Sequence, residues 1–228
     1  MDITMYVDKY KSVRYNFFKW RYELEIIHKV WLAFTFACLT GLLSQVRFYL
    51  PGNPAVPITG QTFAVLLAGV VLGRWGVVSL GMYTGIGAAG VPWFAPKIGM
   101  PIFSSGGIGA LTGATGGYIV GFMIAALFLG YITDKYIRSR SFFSMLPLMF
   151  FANFVLIYIP GLIVLYLWWM SFIGPIRIVE LLTVGMIPFI AGDILKIVSV
   201  SAIAKGITPK RAYGREADIE KSKSWHIP

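Results

Sequence analysis

The stretch Leu181 to Ala204, LLTVGMIPFIAGDILKIVSVSAIA, sets the hardest condition on any fold of this chain. It is apolar and long enough to cross a bilayer, yet it carries Asp193 and Lys196 near its middle. A charge at that depth costs about 2.5–3.5 kcal/mol on insertion scales. The carboxylate and the ammonium therefore need each other or a ligand. Three residues apart on a helix, they share a face and can meet. Two readings stand open: a buried ion pair that keeps helices in register, or a binding site for a polar solute deep among membrane helices.

The rest of the chain is built to the same rule. Of 228 residues, 57% are hydrophobic and 13% charged, with a mean hydropathy of +0.72, which no soluble core could bury. The chain reads as a polytopic membrane protein, all-α, with six transmembrane spans. These fall at about Val30–Leu50, Gln61–Gly73, Gly76–Gly90, Gly117–Thr133, Phe143–Trp169 and Leu181–Ala204. Prolines in the segment after the first span cannot continue a helix, and Gly73-Arg74-Trp75-Gly76 reads as a turn between the second and third. The single Cys38 lies in an apolar run, so no disulfide framework is possible.

Six crossings place both termini on one side, and the positive-inside rule says which. Of 20 Lys and Arg, Lys196 lies within a span and Arg47, Lys97 and Arg177 fall on one side, which leaves sixteen (20 − 4) on the other. Both termini are expected in the cytosol and the chain in the cell membrane. The same distribution answers a nucleic-acid reading of the +10 charge, because these cations belong to topology and anionic lipid contact. Residues 1–29 form a basic, aromatic segment without the short apolar core of a cleavable signal. It suits an interfacial helix on the inner membrane face, or equally a frayed basic tail. Residues 30–206 form the membrane domain and residues 207–228 a basic tail.

On this topology 51–60, 91–116 and 170–180 face outward as candidate lids. The middle segment is long and glycine-rich, and its Trp93, Phe94 and Phe103 argue against disorder. These rings could grip an amphipathic small molecule, or form an interfacial belt. Catalysis has little support. His28 and His226 lie outside the expected spans, which removes a Ser-His pair and HExxH zinc chemistry. Ile190-Ala191-Gly192-Asp193 lacks the first glycine of G-x-G-D, and no P-loop is present for ATP.

Five motifs in unbroken order then point to a family. They are Val56-Pro57-Ile58-Thr59-Gly60-Gln61-Thr62; Tyr83-x-x-x-Gly87-x-x-Gly90-x-Pro92-x-Phe94; Gly113-Ala114-Thr115-Gly116-Gly117-Tyr118; Tyr158-x-x-Gly161; and Pro188-Phe189-x-x-Gly192-Asp193-x-x-Lys196. Together they resemble BioY, the biotin-binding S component of energy-coupling-factor (ECF) transporters. The resemblance implies a six-helix bundle that holds biotin in an outward-facing pocket and works with a transmembrane coupling subunit and two ATPase subunits. It implies no cofactor and no catalysis by this chain. A solitary transporter of biotin or a related vitamin is the alternative, with an intramembrane enzyme or scaffold behind it.

Carried onto this sequence, the resemblance puts Asp193 and Lys196 at the pocket. A carboxylate is a sensible acceptor for two ureido N–H groups at once, and the ammonium could hold it ionised or donate to the ureido carbonyl. Thr59, Gln61, Tyr83, Phe94, Thr115 and Tyr118 are further substrate-binding candidates; for the hydroxyl and amide groups, helix-to-helix hydrogen bonding is the alternative. Lys97 or Arg177 could attract the valerate carboxylate. Ala33-x-x-x-Ala37 resembles the small-residue face by which S components dock on the coupling subunit. Gly60 and Ala114 depart from the family pattern, and the loop 96–105 is longer than usual for it.

Overall fold

The computed structural model describes residues 3–49, 53 and 55–222. Pro51 and Pro54, expected in a lid loop, and Lys223 and His226 lie outside the described residues. Helices dominate: α1 Ile3–Glu23, α2 Ile26–Gln45, α3 Gln61–Leu72, α4 Gly76–Ala88, a short α5 Ile108–Leu111, α6 Gly116–Lys135, α7 Phe142–Phe151, α8 Tyr158–Phe172, α9 Ile178–Gly185, α10 Ile190–Ile207 and a short α11 Ile219–Ser222.

The first expected span shifts at both ends. Helix α2 starts four residues early, which brings exposed His28 into its first turn, and it ends at Gln45 rather than Leu50. Beyond it the fold is not purely α. Strand β1 (Arg47–Phe48) pairs antiparallel with β2 (Ile58–Thr59), Arg47 opposite Thr59. This small ladder joins the end of α2 to the chain just before α3 and fixes Thr59 there.

Among the described residues, five elements are long and apolar enough to cross a membrane, against the six spans expected: Ile26–Gln45, Gln61–Ala88, Gly116–Lys135, Phe142–Phe172 and Ile178–Ile207. The difference lies in Gln61–Ala88, which is continuous in hydropathy but reverses at the 3-10 turn Gly73–Trp75. Gly76 packs onto the backbone of Ala68 and Gly69, where an added Cβ would stand 3.1 Å from each. The Gln61 side chain, at the start of α3, bonds to Tyr83 in α4. That contact is impossible along one straight helix, whose rise is about 1.5 Å per residue. Gly73 turns with φ 62°, and an added Cβ would collide with the Asp134 carboxylate, which accepts the Arg74 backbone N–H at 3.1 Å.

Two further spans are interrupted. Between α7 and α8 the chain passes through a π-helical segment, Ala152–Ile157. Between α9 and α10 the expected unbroken stretch 181–204 gives way to a 3-10 turn at Ile187–Phe189, because Pro188 has no N–H to continue the ladder. Asp193 therefore sits in the first turn of α10, while keeping its expected place near the middle of the interrupted span Ile178–Ile207. A carboxylate in a first helical turn is favoured by the helix dipole.

The long segment after α4 is ordered by its rings. Trp93 and Phe94 are buried and pack on Tyr83 with centroids 5.5 and 5.3 Å away. Trp93 Nε1 donates to the Tyr83 carbonyl at 2.9 Å, and the Phe94 N–H donates to the Ser105 carbonyl at 2.9 Å. Gly87 makes room for both rings. Phe103, expected with them, is exposed, with φ 53°.

At the opposite end of the bundle the terminal segments are folded. Helix α1 inserts Phe18 and Arg21, and Arg21 pairs with Asp134 at the end of α6. Arg140, fully buried, donates to Glu216 at 2.9 Å and to the carbonyls of Pro209 and Arg211. Asp218 accepts the backbone N–H groups of Ile137 and Arg138. Residues 3–23 are thus a helix rather than a frayed tail, and residues 208–218 are docked.

Candidate functional site: a cavity over a buried ion pair

A cavity of about 480 Å³ opens between the β1–β2 ladder, the segment after α4, and helices α6, α8 and α10. That size falls among small-molecule sites, roughly 300–1,000 Å³. Rings of Phe94, Phe122, Trp168, Phe172 and Phe189 supply apolar wall. Polar groups gather at two places, around Thr59, Gln61 and Thr62, and around Tyr118, Tyr158, Asp193 and Lys196.

Asp193 is the most connected of them. Its Oδ1 accepts from Lys196 Nζ at 2.9 Å, and its Oδ2 accepts from Tyr158 OH at 2.6 Å and Asn153 Nδ2 at 3.0 Å. The carboxylate side chain is 5% exposed and the Lys196 side chain 18%. Two of the donors, Asn153 and Tyr158, are five residues apart. On an α-helix that separation is about 140° of rotation, so both could not face one carboxylate. The π-helical segment, with its i→i+5 repeat, brings them to the same face, as such bulges often do at functional sites.

The second cluster is indexed by backbone. Thr59 Oγ1 donates to Gln61 Oε1 at 3.0 Å and accepts the Gln61 N–H at 3.3 Å, while Gln61 Nε2 donates to Tyr83 OH at 2.7 Å. Lys196 Nζ lies 3.4 Å from Thr62 Oγ1, which joins the two clusters. Tyr118 OH donates to the Gly185 carbonyl at the end of α9, and its ring meets Tyr158 edge-on at 5.9 Å.

Seven of the eight expected substrate-binding residues line this cavity: Thr59, Gln61, Phe94, Thr115, Tyr118, Asp193 and Lys196. Tyr83 does not. It is fully buried behind the wall, where it holds the Gln61 amide. Of the two cations considered for the valerate, Lys97 lines the cavity, and Arg177 donates from Nε to Glu180 Oε1 at 2.9 Å. Ala33 and Ala37 also depart from expectation. Both are fully buried on the face with which α2 packs in its own bundle, so they offer no surface to another helix in this conformation.

A model of the BioY family matches residues 15–213. The chain belongs to the BioY family. It is 52% identical over 164 residues to the probable biotin transporter BioY of Methanothermobacter thermautotrophicus, covering 71% of this chain and all of that protein. The biotin transporter BioY of Thermotoga maritima is 33% identical over 150 residues, 65% of this chain and 79% of the relative. A crystal structure of the S-component for biotin from an ECF-type ABC transporter shares the fold, with a TM-score of 0.65 at 21% identity, over 78% of this chain and 89% of that one.

For this BioY chain the geometry also shows what sequence reading missed. Asn153 was not singled out at all, and Tyr158 entered only as a motif position. Neither spacing nor residue type could place them together, because only the π register does. Among about four acceptor positions on a carboxylate, three of those on Asp193 are already taken. It can take one further N–H without giving up a present partner, rather than the two that were expected.

Proposed function

We propose that this chain is the substrate-specific membrane subunit of an ECF-type transporter and binds biotin in the cavity above Asp193 and Lys196. The observation that carries the reading is the Asp193–Lys196 pair at the aromatic cavity, its carboxylate held by two further donors, Asn153 and Tyr158. The names of the family relatives and of the structural neighbour support it.

In this reading one ureido N–H donates to Asp193, the Lys196 ammonium donates to the ureido oxygen, and the apolar walls take the rings and the valerate chain. Lys97 faces the carboxylate end. With α3 and α4 counted as a hairpin of two short spans, the bundle makes six crossings. The cavity then faces outward, and both termini lie in the cytosol with the bulk of the cations. A coupling subunit and two ATPase subunits supply the energy, and this chain supplies selectivity without catalysis.

The test is calorimetry of biotin with the purified chain in detergent, alongside Asp193→Asn and Lys196→Ala. Tight wild-type binding that is strongly weakened in a folded Asp193→Asn variant is expected. Saturable binding indifferent to both substitutions would move the site away from the pair, and no binding would remove biotin as the ligand.

A further inference from the structure

A second cavity, about 470 Å³, lies at the far end of the bundle. It is bounded by α1, the start of α2, the Gly73–Trp75 turn, the end of α6 and the C-terminal segment. Five cationic side chains line it: Arg21, Lys29, Arg74, Lys135 and Arg215. One carboxylate, Asp134, accompanies them, and it is already engaged by Arg21, by Tyr213 OH at 3.0 Å and by the Arg74 N–H. Among the described residues, the other four cations have no carboxylate in ion-pair reach.

Three of these four, Lys29, Arg74 and Lys135, are positioned by neighbours, and Arg215 is exposed at the cavity. Lys29 Nζ donates to the Tyr22 carbonyl at 2.8 Å, Lys135 Nζ to Tyr131 OH at 2.6 Å, and the Arg74 guanidinium lies 4.8 Å from the Tyr131 ring centre. Each keeps N–H donors to spare. Like charges gathered around one concavity repel unless an anion joins them. A phosphate group, with several acceptor oxygens, is the ligand such a set of donors fits.

The surroundings indicate where that phosphate comes from. Leu32 and Leu72 form an apolar side to the cavity, Tyr22 and Trp75 stand among its cations, and the start of α2 exposes Ile26, one turn before Lys29, to 72%. Trp and Tyr beside cations at helix ends mark headgroup depth, and basic pockets there accept anionic headgroups. We propose that this cavity binds the phosphate of an anionic glycerolipid, whose chains lie along the exposed apolar face of α2.

The experiment uses the full chain in neutral detergent, titrated with dioctanoyl phosphatidylglycerol, dioctanoyl phosphatidylcholine or sodium phosphate at matched ionic strength. Binding is read by intrinsic fluorescence, to which Trp75 in the cavity wall contributes, and by melting temperature. Saturable binding of phosphatidylglycerol is expected, with neither of the other two reproducing it. At roughly 1 kcal/mol per interfacial cation, Arg74→Gln/Lys135→Gln should weaken it about 25-fold. The lipid-free melting temperature of that variant serves as the fold control, and Lys29→Gln/Arg215→Gln replaces it should it fail to fold. Equal binding of phosphatidylcholine, or wild-type affinity in a folded variant, overturns the proposal. Equal binding of sodium phosphate also overturns it, because the site would then serve a soluble anion.

Discussion

Replacing Asp193 by Asn should cost the protein far more stability than replacing Lys196 by Met. The asymmetry follows from the partners. An Asn at 193 keeps one carbonyl oxygen for Tyr158 and Asn153, but its NH₂ group then faces the Lys196 ammonium, donor against donor. Lys196, 18% exposed, is left with Thr62 at 3.4 Å. Removing one partner of a buried pair costs about 3–5 kcal/mol. In Lys196→Met the carboxylate still holds two of its three donors, so the loss is one charge-assisted hydrogen bond, about 1.5–3 kcal/mol. At about 2–4 °C per kcal/mol for a chain of this size, Asp193→Asn should lower the apparent melting temperature in detergent by on the order of 10 °C, and Lys196→Met by about half that. The double variant, neutral at both positions, should lose less than the sum, by about 0.5–3 kcal/mol. A thermal-melt series on the four proteins decides. Additive effects, or a Lys196→Met loss larger than that of Asp193→Asn, would refute the reasoning.

Tyr158→Phe deletes the 2.6 Å bond to Asp193 with little change of shape and should weaken biotin about ten- to a hundredfold; calorimetry that shows unchanged affinity would remove Tyr158 from the site. Gly87→Ala brings a Cβ to 2.6 Å from Trp93 Nε1 and closer still to the Phe94 ring, so it should cost about 1–3 kcal/mol. Limited proteolysis of 91–107 should accelerate in that variant, and an unchanged cleavage rate would count against packing of the rings as what orders the segment. At the other end, burial pushes the Tyr213 hydroxyl above its ordinary value of 10.0. The folded state thus holds a proton that the unfolded state releases near that pH, and the stability this contributes is complete below about 10 and falls as pH rises beyond it. Melting curves from pH 9 to 11 should show that decline, and Tyr213→Phe should flatten it.

Much of this was legible because a bilayer leaves few options. The apolar runs located the spans to within about five residues but not α1, which is polar, and two charges in one apolar run picked out the pair at the cavity. Proximity of Thr59 to Gln61, and of Asp193 to Lys196, was readable because each is set by local backbone. What stayed hidden depends on breaks in regular structure. Pro188 ends a helix that hydropathy reads as continuous, since Met186, Ile187 and Phe189 are as apolar as their neighbours. The Ala33-x-x-x-Ala37 pattern reports close helix approach correctly, but small residues serve the bundle's own packing as well as a partner's.

The π segment is the deepest of these breaks, and it explains why the carboxylate is tolerable where it lies. A regular helix through 152–157 would present either Asn153 or Tyr158 to Asp193, leaving Oδ2 one donor short in an apolar setting. Each charged hydrogen bond lost there costs about 1.5–3 kcal/mol, comparable to the insertion cost of the charge itself. Asn153 is fully buried and its Oδ1 has no hydrogen-bond partner among the described residues, so its amide is placed for what Nδ2 gives to Asp193 rather than for its own satisfaction. The irregular register, the Asn153 amide and the first-turn position of Asp193 together supply partners and a favourable helix dipole to a carboxylate beside an apolar cavity.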